Sequence, residues 1–331
     1  MTAILASCSA PQSSATRTVV LGEKGGGGVA APAMPGKNVP AIKVDTVGYP
    51  ASWPKIVVFN VPPAGAVVKD AAGKVVLTVE ASRVRELGVD AASQDPVWQV
   101  DLSDLAEPGT YTIAAGDAVS DPFTIAADPY QRALVAGLKS FYFQRTRTAL
   151  EAPYAIWDGD AYTRDGVSHA HDDVGWDLET YPEKTKRWKL EAGWHDAGNY
   201  DMYVPSTAPT VQSLLLAYEW APAAFPDRQL DIPESGNGAS DLLDEAKWGL
   251  RWILSMQEPG GAFRHREAVM GSSPELPADK DRTERWVAGP STAATAKAVA
   301  VLAMASRVYA EHAKLAPLVA VAIPPDLAVA S

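Results

Sequence analysis

The period of the hydrophobic positions along this chain changes once, at Asp128-Pro129. Between Pro40 and about Ala127, short β-branched and aromatic runs are split by turn residues. The runs are Ile42–Val44, Ile56–Phe59, Ala66–Val68, Val75–Val79, Val97–Leu102, Thr110–Ile113 and Phe123–Ile125. Within Val97–Leu102, Trp98, Val100 and Leu102 alternate with Gln99 and Asp101, the period of two of a half-buried strand. Pro62-Pro63, Ala72-Gly73, Pro108-Gly109 and Gly116-Asp117 provide turn chemistry between the runs. Short strands at this density predict an immunoglobulin-like β-sandwich. No nucleophile or ligand cluster falls within it, which points to a structural or docking role.

Beyond Asp128 the period becomes helical. Asp128 suits a cap and Pro129 the first helical position. Leu134, Leu138, Phe141 and Arg145 define one face; Leu242, Ala246, Gly249, Ile253 and Met256 define a second, and Ala294, Ala298, Val301, Ala305 and Val308 a third. No strong strand pattern interrupts them, so residues 128–331 are expected to be all-α with long loops. Those loops run over 151–193, 225–238 and 260–290, lengths that usually carry function.

The stretch Leu190–Glu219 ends one of those loops and runs into an apolar helix. Trp194, His195, Asp196, Asn199, Tyr200, Asp201 and Tyr203 crowd into ten residues, with Gly193 and Gly198 expected to supply backbone conformations that a Cβ would oppose. Such a loop is a common seat for binding and catalytic groups. The same spacing also suits an Asx turn in which Asp196 and Asn199 bond only their own backbone.

Composition narrows the partners. The 331 residues are enough for two domains, with 47% hydrophobic and 21% charged positions typical of a soluble globular protein. A net charge of −11 argues against nucleic acid or an anionic membrane surface. Ten Trp residues, eight of them beyond residue 150, suit stacking on sugar rings as well as core packing. Cys8 is the one cysteine, which excludes an internal disulfide. Leu5-Ala6-Ser7-Cys8 fits a bacterial lipobox, in which Cys8 would be lipidated and anchor the protein to a membrane. The few residues before it, without Lys or Arg, suggest a clipped start. Residues 9–39, rich in Ser, Ala, Pro and Gly, read as a flexible tether. The expected location is therefore the bacterial cell envelope, periplasmic or surface-exposed, or the secreted fraction.

GWHDAGNYDMYV, at Gly193–Val204, resembles the GGWYDAGDYGKYV signature of glycoside hydrolase family 9, a family of mostly inverting β-glucanases and cellulases. FYFQR at 141–145, IPESGNGASDLLDEAKW at 232–248, WILSMQE at 252–258 and VAGPSTAATAKAVAVLAMASRVY at 287–309 are similar to other family segments in the same order. Pro40–Ala127, opening with IKVDTVGYP, resembles the Ig-like domain that precedes many family members. The resemblance spans roughly residues 40 to 310. Together with the lipobox remnant and linker at 1–39, it implies domains at 40–127 (Ig-like β-sandwich) and 128–331 (the N-terminal part of an (α/α)6 catalytic barrel), with an atypical tail from about 310.

The chemistry implied is inverting hydrolysis of β-1,4-glucosidic bonds in cellulose or a related β-glucan, which needs no cofactor. One carboxylate activates a water and a carboxylic acid across the sugar protonates the leaving oxygen. In the family the two Asp of DAGD hold the water and the second is regarded as the base. These positions are Asp196 and Asn199 here. An amide orients a water but does not take up its proton at neutral pH, so Asp196 becomes the expected base and Asn199 a water-positioning residue. Asp201 would offer a carboxylate if the loop curls. Trp194, His195, Tyr200 and Asp201 are expected to contact the glucan. The family acid is a Glu near the end of a complete barrel; Glu234, Glu245 and Glu258 match internal positions instead. The sequence is accordingly expected to be a truncated or frame-shifted form, poorly soluble and without hydrolysis. The alternative is a non-catalytic polysaccharide-binding protein derived from such an enzyme.

His169, His171, Asp172 and Asp173 form an H-x-H-D-D cluster with metal-ligand character. Some family members bind zinc here, but their Cys positions correspond to Thr146 and Ser168 and a further His to Met202, so a cleft-lining or solvated role is expected and no metal. Trp157, Trp176 and Trp188 suit sugar stacking or loop packing equally. Trp248 and Trp252 are expected in the core, and Glu234 is expected to fix the Gly-rich turn around it.

Overall fold

The computed structural model describes residues 39–164, 174–271 and 275–312. Cys8, the tether, Ser168, the H-x-H-D-D cluster and the tail after 312 lie outside the described residues.

The first region holds β1 (Ile42–Lys43), β2 (Tyr49–Pro50), β3 (Ile56–Phe59), β4 (Val67–Asp70), β5 (Val75–Thr78), β6 (Val84–Val89), β7 (Pro96–Asp101), β8 (Gly109–Ala115), β9 (Ala118–Val119) and β10 (Phe123–Ala126). One sheet has the order β1-β3-β7-β6; the other runs β2-β10-β8-β4-β5, with β9 on β8. Their inner faces meet through Val57 and Phe59 of β3, Val100 of β7, Val68 of β4, Ile113 of β8 and Ile125 of β10, all at most 1% exposed. This is the sandwich that the period of two predicted. Strand β6 escaped the pattern because it is an edge strand paired only with β7 and almost wholly exposed, so nothing selects alternation along it.

The second region corrects the all-α expectation. It contains α1 (Gln131–Gln144), β11 (Ile156–Trp157), β12 (Asp160–Ala161), β13 (Val174–Asp177), β14 (Arg187–Lys189), β15 (Met202–Tyr203), α2 (Val204–Trp220), α3 (Asp241–Ser255), β16 (Arg266–Val269), β17 (Arg285–Val287) and α4 (Thr292–Ala310). The long loops are pinned by a five-stranded sheet of order β14-β13-β17-β16-β15. Its strands are two to four residues long, too short to show a period. Strands β13 and β17 pair in parallel, Trp176 opposite Trp286; the other pairs are antiparallel.

The α3 and α4 stripes are buried throughout, and both helices pack on α2 around Val211, Leu215, Leu250 and Val301. Helix α1 differs from its expected face. Leu138 and Tyr142 are buried, Leu134 and Phe141 pack at the margin, and Arg145 lies just past the helix as its C-cap. Its start also shifts, since Tyr130 and not Asp128 is the N-cap. The Tyr130 hydroxyl donates to Asp45 Oδ2 at 2.6 Å, a direct tie between the helical region and the β1–β2 turn of the sandwich.

Candidate active site

The loop 191–201 lies against the residues that follow α1 and enters α2 through β15. The Gly193 carbonyl accepts from Thr146 N and from Trp248 Nε1, each at 2.9 Å, and His195 N donates to the Gln144 carbonyl at 2.9 Å. Gly193 has φ +94°, and a Cβ there would meet Met202 Sδ at 2.8 Å and the Trp252 ring at 3.0 Å, so glycine is required twice over. Gly198 plays no such part; it has open space around its Cβ direction. The left-handed non-glycine residues of the loop are Ala192, at φ +53°, and Tyr200, at φ +59°.

Trp194 is 7% exposed and packs against Gly249 of α3, where a Cβ would come within 2.3 Å of the indole. Its Nε1 donates to Glu245 Oε2 at 3.1 Å. Glu245 in turn accepts from Arg145 Nε at 2.8 Å, while Glu234 accepts from Arg145 Nη1 and Nη2 at 3.0 and 3.1 Å. The Glu234 side chain thus holds a buried arginine, while its carbonyl accepts from Asn237 N at 3.2 Å within the turn. Burial raises the Glu245 carboxyl above its ordinary range, with Arg145 and Trp194 opposing.

Asp196 is exposed and lines a cavity of about 200 Å³ together with Ser140, Phe141 and Gln144 of α1, Trp194 and His195 of the loop, and Ser206, Thr207 and Thr210 of α2. It is the carboxylate among those lining residues. Ser206 Oγ donates to Asp196 Oδ1 at 3.4 Å, and Asp196 N donates to the Asp201 carbonyl at 3.1 Å. His195 is buried, its ring centroid 4.8 Å from that of Tyr200. Burial, with Asp281 nearby, raises the Tyr200 hydroxyl.

Asn199 and Asp201 turn the other way. Asn199 Nδ2 donates to Asp201 Oδ2 at 2.8 Å, and Asn199 Oδ1 accepts from Asp201 N at 3.3 Å. The Asx turn therefore exists at Asn199, while Asp196 makes no such bond to its own backbone. Asp201 is 5% exposed, and also accepts from Tyr203 Oη at 3.1 Å, Val269 N at 2.9 Å and Arg285 Nη1 at 3.4 Å. The structure brings Trp194, His195 and Asp196 to one cavity; Asn199, Tyr200 and Asp201 do not line it.

Sequence reasoning missed the polar wall of this cavity. Ser140 and Gln144, four apart at the end of α1, and Ser206 and Thr210, four apart at the start of α2, are a legible signal: paired polar positions where a buried face would be apolar. It also missed the buried arginines. Arg264 meets both oxygens of Asp177 at 3.1 and 3.0 Å, and Arg147 meets Glu267. Trp252 is fully buried and Trp248 half-buried; Trp188 donates to Asp177 Oδ2 at 3.0 Å, and Trp176 carries the Arg187 guanidinium 3.9 Å above its ring. Thr146 and Met202 are buried, and among the described residues no group of three or more His, Cys, Asp or Glu is placed to hold a metal. Among those residues, no helix is long and apolar enough to cross a membrane.

Comparison with known proteins gives a consistent picture. Residues 130–320 match the family model described as glycosyl hydrolase family 9, and residues 37–120 match that of the cellulase N-terminal ig-like domain. Endoglucanase C of Cellulomonas fimi is 34% identical over 300 residues, covering 81% of this chain and 26% of the relative. The cellodextrinase of Butyrivibrio fibrisolvens is 30% identical over 275 residues, covering 82% of this chain and 48% of the relative. A solved metagenome-derived family 9 endoglucanase superimposes with a TM-score of 0.71 at 33% identity, covering 85% of this chain and 53% of its own. The chain thus spans about a quarter to a half of the length of these relatives.

Proposed function

Because this chain belongs to glycosyl hydrolase family 9, we propose that it acts on β-1,4-glucan and contributes the water-side half of an inverting hydrolase site. The four helices are then read as part of an (α/α)6 barrel, with the sandwich at 40–127 as its Ig-like partner. The observation that carries this reading is Asp196. It is an exposed carboxylate on a cavity lined also by the hydroxyls of Ser140, Ser206, Thr207 and Thr210, the amide of Gln144, and the buried Trp194 and His195. A carboxylate so placed orients a water and takes up its proton as the water attacks the anomeric carbon. The acid that protonates the leaving oxygen is not assigned to any residue of this chain. His195 is in reach of a sugar in the cavity, and the neutral polar wall suits its hydroxyls.

A second reading is non-catalytic binding of β-glucan, and one observation favours it: the Asn199 amide is turned inward onto Asp201, leaving Asp196 as the carboxylate of the cavity. Membrane anchoring through a lipidated Cys8, or secretion, completes the proposal for location. The experiment combines binding and turnover. β-Glucan affinity electrophoresis and reducing-end release are measured for the chain and for the product of its gene read beyond Ser331. The hydrolytic reading expects inverted product, with Asp196→Ala lowering kcat at least ~100-fold while binding persists. Binding without hydrolysis in both forms favours the second reading, and full turnover by Asp196→Ala clears Asp196 of the base role.

A further inference from the structure

The inward pair Asn199–Asp201 is held by more than its own hydrogen bonds. Arg285 of β17 is 3% exposed. Its Nη1 donates to the Asn199 carbonyl at 2.9 Å and to Asp201 Oδ1 at 3.4 Å, and its Nη2 donates to Asp281 Oδ2 at 2.8 Å. Asp281 is fixed by Thr283 Oγ1 at 2.7 Å and Thr283 N at 3.1 Å. Asp201 receives Val269 N and Tyr203 Oη on the same two oxygens that receive Arg285 and Asn199. A buried carboxylate with this many donors has lost the freedom to rotate.

We propose that Asp201 is a positioning residue that captures the side chain of residue 199 inside the fold, so that residues 199 and 201 act as one unit. The unit explains why the loop curls at Tyr200. With φ +59° there, the backbone of Asp201 turns back far enough for its N–H to reach Asn199 Oδ1 while its carboxylate reaches Asn199 Nδ2. The amide is the group this arrangement requires. It presents a donor to Asp201 Oδ2 and an acceptor to Asp201 N, and a carboxylate at 199 would supply only acceptors. Placing Asp at 199 therefore sets two carboxylates at hydrogen-bond distance beneath one arginine. They resolve the conflict by sharing a proton, not by releasing residue 199 to the cavity. A carboxylate at 199 becomes available to the cavity only when residue 201 changes with it. The pairing itself stands on geometry alone; only the hydrolysis arm of its test rests on the proposed activity.

The test compares Asn199→Asp with the double variants N199D/D201N and N199D/D201G in the full chain. Carboxyl resonances are followed by carbon-13 NMR across a pH titration. In the single variant, one carboxyl of the 199–201 pair is expected to titrate about 2 pH units above an ordinary aspartate. In N199D/D201N, the new amide donates to the carboxylate at position 199, which titrates at or below the ordinary value. In N199D/D201G the neighbour is gone, while Arg285 retains Asp281 and the carbonyl of residue 199. That variant serves if D201N fails to fold, as judged by circular dichroism. On β-glucan, with the same substitutions placed in the product of the gene read beyond Ser331, both double variants are expected to release reducing ends at least tenfold faster than the single variant. Ordinary titration of both carboxyls of the pair in the single variant overturns the proposal, as does a single variant that hydrolyses as fast as the doubles. The expected titrations with hydrolysis in none of the variants support the capture by Asp201 and count against the hydrolytic reading instead.

Discussion

The two regions of the molecule solve the same problem with opposite interiors. Among the described residues, the buried polar groups of the sandwich are Lys55 and Ser120. Lys55 Nζ is enclosed by the carbonyls of Ala51 and Trp53 at 2.8 and 2.9 Å, so it closes a turn and does not pair with a charge. The helical region buries Arg145, Arg264 and Arg285 against Glu245, Asp177 and Asp281. A sandwich has ladders to fix every strand, and apolar burial at about 25 cal/mol per Å² supplies the rest. Long loops have few ladder bonds, so their backbone is fixed by charged side chains that reach across the chain, as Arg145 does to Glu245 over 100 residues. The loop at 191–201 is held in this way from both ends, by Glu245 through Trp194 and by Arg285 through Asn199.

The sharpest way to break this contrast is to remove one charge. Arg145→Met leaves Glu245 buried and unpaired and is expected to cost about 3–5 kcal/mol in the helical region. A Val57→Ala change in the sandwich, which removes two methyl groups from the core, is expected to cost less, about 1–3 kcal/mol. Urea unfolding followed by far-ultraviolet dichroism gives both numbers. Adding Glu245→Met to Arg145→Met should recover a large part of the loss, because the pair's cost lies in leaving either partner alone. An Arg145→Met cost below about 1 kcal/mol would mean that the ion pairs decorate the loops and do not hold them.

The same contrast explains what could be read from the sequence. The sandwich and the stripes of α3 and α4 were legible because burial imposes a period, and Val57, Phe59, Ala246 and Ile253 obey it. The motif pointed to Trp194, His195 and Asp196, which line one cavity. What stayed hidden were the strands β13 to β17 and the direction in which residues 199 and 201 face. A buried arginine has no period, and its partner lies far off in sequence, as Arg285 lies 84 residues from Asp201. Whether Asp201 shares a side with Asn199 depended on one backbone angle, at Tyr200, and an aromatic residue gives no hint of a left-handed conformation.

Acid sharpens the comparison further. Burial, opposed by Asn237 and reinforced by Glu234, pushes the Asp244 carboxyl up to about 6. A carboxyl raised on folding adds stability that is complete below its ordinary value, and that stability is lost as pH rises through about 6. The helical region is therefore expected to weaken by on the order of 2 kcal/mol between pH 4 and 7, and Asp244→Asn should flatten that slope. In the sandwich, the hydroxyl and backbone N–H of Ser103 hold the Asp101 carboxyl below its ordinary value. That contribution is present above the ordinary value and lost only as pH falls below it, so the sandwich should be level over the same window. Denaturant midpoints for the two regions against pH give the two slopes; parallel slopes would remove Asp244 as their cause.

The smallest expected effect concerns the joint. Tyr130 caps α1 and donates to Asp45 of the sandwich, a bond that pushes its hydroxyl up to about 12, helped by burial and the Asp45 charge. Tyr130→Phe keeps the ring, which lies 6.3 Å from that of Trp53, and keeps Pro129 against Gly48. It removes one charge-assisted hydrogen bond at a half-buried site, worth about 1 kcal/mol. That loss belongs to neither interior, so it should not lower the two regions equally. If the bond couples them, differential scanning calorimetry should resolve one transition into two in the variant, the helical region melting first, because its long loops have fewer ladder bonds than the sandwich. If a single transition persists at nearly the same temperature, apolar contact at Trp53 and Pro129 carries the coupling, and the joint resembles the sandwich more than the site.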